Sequence, residues 1–123
     1  MSFNDHRDFF QTLEKEGELA RITQEVDWDL EMGAIGRRVY ERGGPCLLFE
    51  KIKDYPEGFR ISNGTTGTWS RVALAMGLPK NTPVREIYGA YEKSLEKKIP
   101  PRTVKRENAL CKENIMTGDE VDL

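Results

Sequence analysis

Little in this sequence announces chemistry. Histidine occurs once, at His6, and the two cysteines, Cys46 and Cys111, stand far apart with no CxxC pair. Neither a histidine-rich metal centre nor a disulfide scaffold follows, and both thiols are expected to be reduced. No apolar run approaches the roughly 20 residues of a membrane span, and the N-terminus has no apolar leader stretch. Charge of one sign is missing too: 19 basic residues face 21 acidic ones, for a net charge of −2. Such a chain carries no field with which to gather nucleic acid or an anionic bilayer. A cytoplasmic protein with no nucleic-acid partner and no membrane partner is the expectation.

The 123 residues that are present fit one small domain. With 37% hydrophobic against 33% charged residues, either the core is thin or one face awaits cover. NDHRDFFQTLEKEGEL reads as a helix with Asn4 and Asp5 as cap candidates, Phe9, Phe10 and Leu13 at helical spacing, and Gly17 as its stop. A short strand, LARIT, follows. In WDLEMGAIGRRVYERGG, Asp29 is placed to cap a second helix on which Ile35 and Val39 share a face, and Gly43-Gly44 end it. Gly33 and Gly36 weaken that helix by about 1 kcal/mol each relative to Ala, a cost that suggests close packing on a neighbour. PCLLFE is a continuous apolar run suited to a strand buried on both faces, and FRISN is a third short strand. WSRVALAMG reads as a short helix. TPVREIYGAYEKSLEKK is the clearest helix of all: Thr82 would cap it, Pro83 would occupy its first position, and Val84, Ile87, Tyr88, Tyr91 and Leu95 form one apolar stripe.

Pro100-Pro101 halts that helix and starts an extended segment. The expected fold is α+β (of α/β type): a small mixed sheet of about three strands packed with four helices, followed by an extended C-terminal arm. Residues 1–99 form the domain and 100–123 the arm. The central strand should be PCLLFE, between the runs at 19–23 and 59–62. The closing stretch CKENIMTGDEVDL reads as a short strand, a turn and a fresh apolar start at Val121 that breaks off at Leu123, as though a further element followed.

Each candidate for chemistry has an ordinary use. The loop from Asn63 to Arg71, SNGTTGTWSR, could cradle a phosphate on backbone N–H groups, yet it is neither a GxGxxG nor a Walker pattern. A strand-to-helix turn capped by Thr68 is the plainer reading. His6 suits a surface or capping role. Asp27/Asp29 and Asp119/Glu120/Asp122 lack calcium-loop spacing; the first pair favours a helix N-terminus and the second group a solvated turn. Arg37-Arg38 could clamp a carboxylate, although pairing along the helix is the simpler use. Tyr88 and Tyr91 belong to the core stripe, and Trp28 and Trp69 beside helix starts read as wedges against the sheet. No catalytic, cofactor-binding or metal-binding residue is assigned.

The succession of segments nevertheless resembles the N-terminal part of the UbiD family of decarboxylases. The resemblance is carried by RDFFQTLEKEGELARITQEVD, DLEMGAIGRRV, GGPCLLFE, the N-x-x-x-G loop with Arg71 and MGL, the PP pair, and CKEN followed by TGDEVDL. Each motif alone is weak; their order over nearly the whole chain is specific. One departure is Ala109-Leu110 before Cys111, where many members carry Gly-Pro, so a different local turn is expected there. The resemblance implies an enzyme that reversibly decarboxylates aromatic or α,β-unsaturated acids with prenylated FMN, a divalent metal (manganese) and potassium. It also implies a flavin-binding domain and a C-terminal oligomerisation domain as partners, in cis or as another chain, and a homo-oligomeric whole enzyme. No residue of Met1–Leu123 matches the family's catalytic or metal-ligating motifs, so this chain alone is expected to be inactive and to hold no flavin. Three readings stand: a non-catalytic UbiD-like domain that packs on the flavin domain and shapes the cleft, a free-standing assembly module of a carboxylase complex, or a small anion- or nucleotide-binding protein using the loop from Asn63 to Arg71.

Overall fold

The computed structural model describes residues 3–96 and 98–121. In chain order it contains α1 (His6–Lys15), β1 (Leu19–Val26), α2 (Glu31–Glu41), β2 (Cys46–Ile52), β3 (Ile61–Asn63), α3 (Trp69–Ala75) and α4 (Val84–Glu96). Three single 3-10 turns follow, at Arg106–Asn108, Leu110–Lys112 and Gly118–Glu120. The expected α+β class is observed: one three-stranded sheet, ordered β1-β2-β3, with four helices.

Strand β2 occupies the centre because Cys46, Leu47, Leu48 and Phe49 are all buried, so neither of its faces can be given to water. It pairs in parallel with β1, with Leu19 opposite Cys46, which leaves α2 as the crossover between them. It pairs antiparallel with β3, Leu47 opposite Asn63. Alternation then feeds two cores. Leu47 and Phe49 join Val26, Met32 and Ile52 beneath α2, with Ile35 and Val39 against them. On the other face Cys46 meets Phe9, Leu13 and Leu74 from α1 and α3. Each of these buried apolar side chains contributes roughly 1.5–3 kcal/mol. The register of β1 shifts between Ile22 and Glu25, a bulge in that outer strand.

Helix ends show which local signals decide. Asp5 caps α1, its carboxylate accepting from the Asp8 N–H at 2.9 Å. At the other end Gly17 takes φ +70°, and the Glu18 N–H reaches back to the Leu13 carbonyl at 2.7 Å, so the last turn closes on itself. Gly36 is buried and carries the Asn63 side chain 2.7 Å from where a Cβ would stand, the close approach expected of it; Gly33 has nothing near it.

Several expectations are corrected. Asp29 does not cap α2: the cap position is Leu30, at φ 62° and with no side-chain bond. The bonding falls to Asp27, whose carboxylate accepts from the Asp29 N–H and pairs with Lys53, while Glu31 accepts from the Asp27 N–H. Leu30, 82% exposed, is thereby held in a conformation that costs a branched residue about 1–3 kcal/mol. Strand β1 runs on to Val26, and β3 begins at Ile61 rather than Phe59, which is exposed. Thr82 turns its hydroxyl back to the Pro79 carbonyl, 2.7 Å away, instead of capping α4. The stretch from Cys111 forms 3-10 turns and no strand. Asp122 and Leu123 lie outside the described residues.

Candidate functional site

The loop from Asn63 to Arg71 is a turn into a helix, as its Thr68 cap foretells: the Thr68 hydroxyl accepts from the Arg71 N–H at 3.3 Å. Arg71 itself turns into the interior of the domain. It is 2% exposed, and its Nη1 donates to Glu18 Oε2 and to the Gly44 carbonyl, both at 3.0 Å. The buried Nε has no partner, a loss of roughly 1–3 kcal/mol that the surrounding packing offsets. Backbone glycines at 64 and 67 allow the second guanidinium nitrogen its place: a Cβ on Gly67 would come within 3.1 Å of Nη2. That guanidinium is paired with Glu18, a carboxylate it shares with Lys80.

Glu18 is the junction this arrangement serves. Its N–H closes α1, its carbonyl accepts from the Cys46 N–H at 2.8 Å, and its carboxylate holds both Arg71 and Lys80. Burial pushes this carboxyl up, but hydrogen bonds and charge from Lys80 and Arg71 outweigh it, leaving it below the usual glutamate range. Sequence spacing gave no hint of the pairing, which spans 53 positions; the one available signal was an arginine inside the apolar run of α3.

Other candidates resolve into ordinary contacts. Arg37 pairs with Glu41 along α2 at 2.9 Å. His6 is exposed and stacks on Phe10, with ring centroids 6.1 Å apart. Both cysteines are unpaired; Cys46 is enclosed, and burial pushes its thiol up, whereas Cys111 is exposed. A groove of about 450 Å³ brings His6 and Arg7 beside Arg60, a grouping the sequence did not suggest. A second, of about 470 Å³, is lined by Glu25, Glu50, Asp54 and Glu57, with Lys51 the one cation beside them. Among the described residues no three His, Cys, Asp or Glu side chains converge as a metal site.

The aromatic residues are where the structure departs furthest from expectation. Trp28 and Trp69 are half exposed and wedge nothing against the sheet. On α4 only Ile87 is buried; Tyr88, Tyr91 and Leu95 face outward, and Trp69 lies against Tyr88 at 5.7 Å. Of the stripe taken for core, Ile87 is core and the rest is surface.

Residues 10–91 match the 3-octaprenyl-4-hydroxybenzoate carboxy-lyase N-terminal domain, UbiD_N, a segment running from α1 into α4. The chain belongs to the UbiD family. All of it aligns with the phenolic acid decarboxylase of Streptomyces sp. (strain D7), at 39% identity and over 26% of that protein. Among solved structures, the open form of the vanillic acid decarboxylase of Sedimentibacter hydroxybenzoicus superposes with a TM-score of 0.79 and 36% identity, covering 97% of this chain and 26% of that one. An evolved dimeric form of the UbiD-class enzyme HmfF from Pelotomaculum thermopropionicum, in complex with prFMN, gives 0.67 and 32%, over 95% of this chain and 25% of that one. The chain spans about a quarter of the length of the relatives it matches.

Proposed function

We propose that this chain is the non-catalytic N-terminal domain of an enzyme that reversibly decarboxylates aromatic or α,β-unsaturated carboxylic acids with prenylated FMN. The observation that carries the reading is the match of the whole chain to a phenolic acid decarboxylase four times its length. Residues 1–99 act as the domain and 100–123 as the arm that reaches the flavin-binding part, whether that part is in cis or another chain. The domain packs on it and helps shape the cleft in which the acid is held; the whole enzyme is a homo-oligomer of the cytoplasm.

The groups present fit no role in holding the cofactor. Its phosphate, with manganese and potassium beside it, would require converging carboxylates and an available cation. Among the described residues no three His, Cys, Asp or Glu side chains converge, and the groove that groups Arg7 and Arg60 beside His6 has no carboxylate in its lining. Proton handling and storage of the carbanion's electrons therefore fall to the flavin-binding part.

Two purifications test this. The tagged chain recovered from its source cells should bring flavin absorbance and turnover of an aryl acid with it. The same chain produced alone in cells that make prenylated FMN should be colourless and inactive. Stoichiometric flavin, or turnover, in the chain alone would overturn the proposal.

A further inference from the structure

We infer that the outer side of α4, with Tyr88, Tyr91 and Leu95 joined by Trp69 of α3, is the surface on which the flavin-binding part of the decarboxylase sits. The inference rests on the N-terminal-domain reading and adds to it the face and the residues.

Val84, Tyr88, Tyr91 and Leu95 recur at steps of four, three and four, so they share one side of the helix. Tyr91 is 53% and Leu95 57% exposed. A helix of 13 residues is marginal in water without a buried face, and within this domain α4 buries Ile87 alone. Three half-exposed aromatic side chains offer roughly 300 Å², in the range of the largest apolar patch on a monomer, which is often functional. Arg85 and Glu92, of opposite sign, border the stripe along one side, and no charged residue falls within it.

Area identifies the occupant. A stable symmetric pair needs about 800 Å² per partner, more than this stripe supplies, which argues against a second copy seated here alone. A contact between domains of one enzyme runs to roughly 600–1,500 Å² in total, or about 300–750 Å² a side. The stripe reaches that range together with the segment that leaves α4, where Ile99, Leu110 and Met116 are exposed. In the relatives three quarters of the protein lies outside the counterpart of this chain, so a partner of sufficient size is available.

The test compares hydrogen exchange of α4 amides in the chain alone with that in the flavin-bearing assembly, in which the flavin part is the same or a separate polypeptide. Assembly should slow exchange across Val84–Glu96 by roughly tenfold or more and leave Glu31–Glu41 unchanged. Tyr91→Glu should abolish that slowing while leaving the far-UV spectrum and melting of the free chain intact; Arg38→Gln on α2 should not. If the assembly forms and α4 exchanges as before, the inference falls and the proposed function stands. If no flavin-bearing assembly forms, both fall. Slowing of α4 by self-association of the flavin-free chain would also overturn it.

Discussion

Helices α1 and α4 are built to the same recipe and sit in opposite circumstances. Both are amphipathic, both are preceded by a candidate cap, and both carry aromatic residues at helical spacing. Yet α1 drives Phe9 and Leu13 into the core under β2, is capped by Asp5, and is closed by Glu18, whose carboxylate reaches α3. Helix α4 buries one side chain, and Thr82 looks away from it. An apolar stripe states what a helix can bury; the surface that receives it is set by tertiary geometry. The domain is thus two things at once: a body organised around β2 and Glu18, and a helix held out beside it.

Five substitutions in the free chain would break or sharpen that contrast. Leu13, 0% exposed, should cost about 3 kcal/mol as Leu13→Ala, whereas Leu95→Ala should cost under about 0.5 kcal/mol. Urea denaturation measures both, and equal costs would put α4 in the core after all.

Next in size, Glu18→Gln leaves the Arg71 guanidinium buried without its counter-charge and should cost about 2 kcal/mol. Its pH dependence has a definite sign. Glu18 titrates below the 4.5 of a free glutamate, so its contribution is complete above about pH 4.5 and is lost as the pH falls through the lowered value. The gap between wild type and Glu18→Gln should therefore close in acid; a gap that held constant would mean the carboxylate's charge is not what matters.

Smallest is the pair of caps. Asp5→Ala should lower the urea midpoint measurably, by less than either change above, while Thr82→Ala should leave it in place. A drop for Thr82→Ala would show that α4 begins as its sequence suggests.

Much of the body was legible in the sequence, for reasons that can be named. Four consecutive apolar residues in β2 admit only burial on both faces, and Thr68 and Asp5 stand where only one nearby helix start needs an acceptor. Where the sequence offered two equivalent acceptors, reading failed: Asp27 and Asp29 both suit the start of α2, and Asp27 is the one that pairs with Lys53, just past the end of β2. The Glu18–Arg71 pair was invisible because sequence distance hides it. The α4 stripe was read correctly as apolar and, Ile87 apart, wrongly as core, since helical periodicity does not say which neighbour is present. Of the candidate site, the sequence assigned no catalytic residue and singled out the loop at Asn63; the turn is there, but its arginine serves the interior.

The bulge in β1 has a consequence for how copies of this domain tolerate one another. A three-stranded sheet leaves two rims of backbone N–H and C=O groups open, and such rims invite strands from other molecules into fibres. Here the register breaks between Ile22 and Glu25, with Arg21 and Glu25 charged on either side. An incoming strand would meet an interrupted ladder and exposed charge within a few residues. The opposite rim, β3, is three residues long. A protein with so lean an interior is in this way kept from polymerising edge to edge.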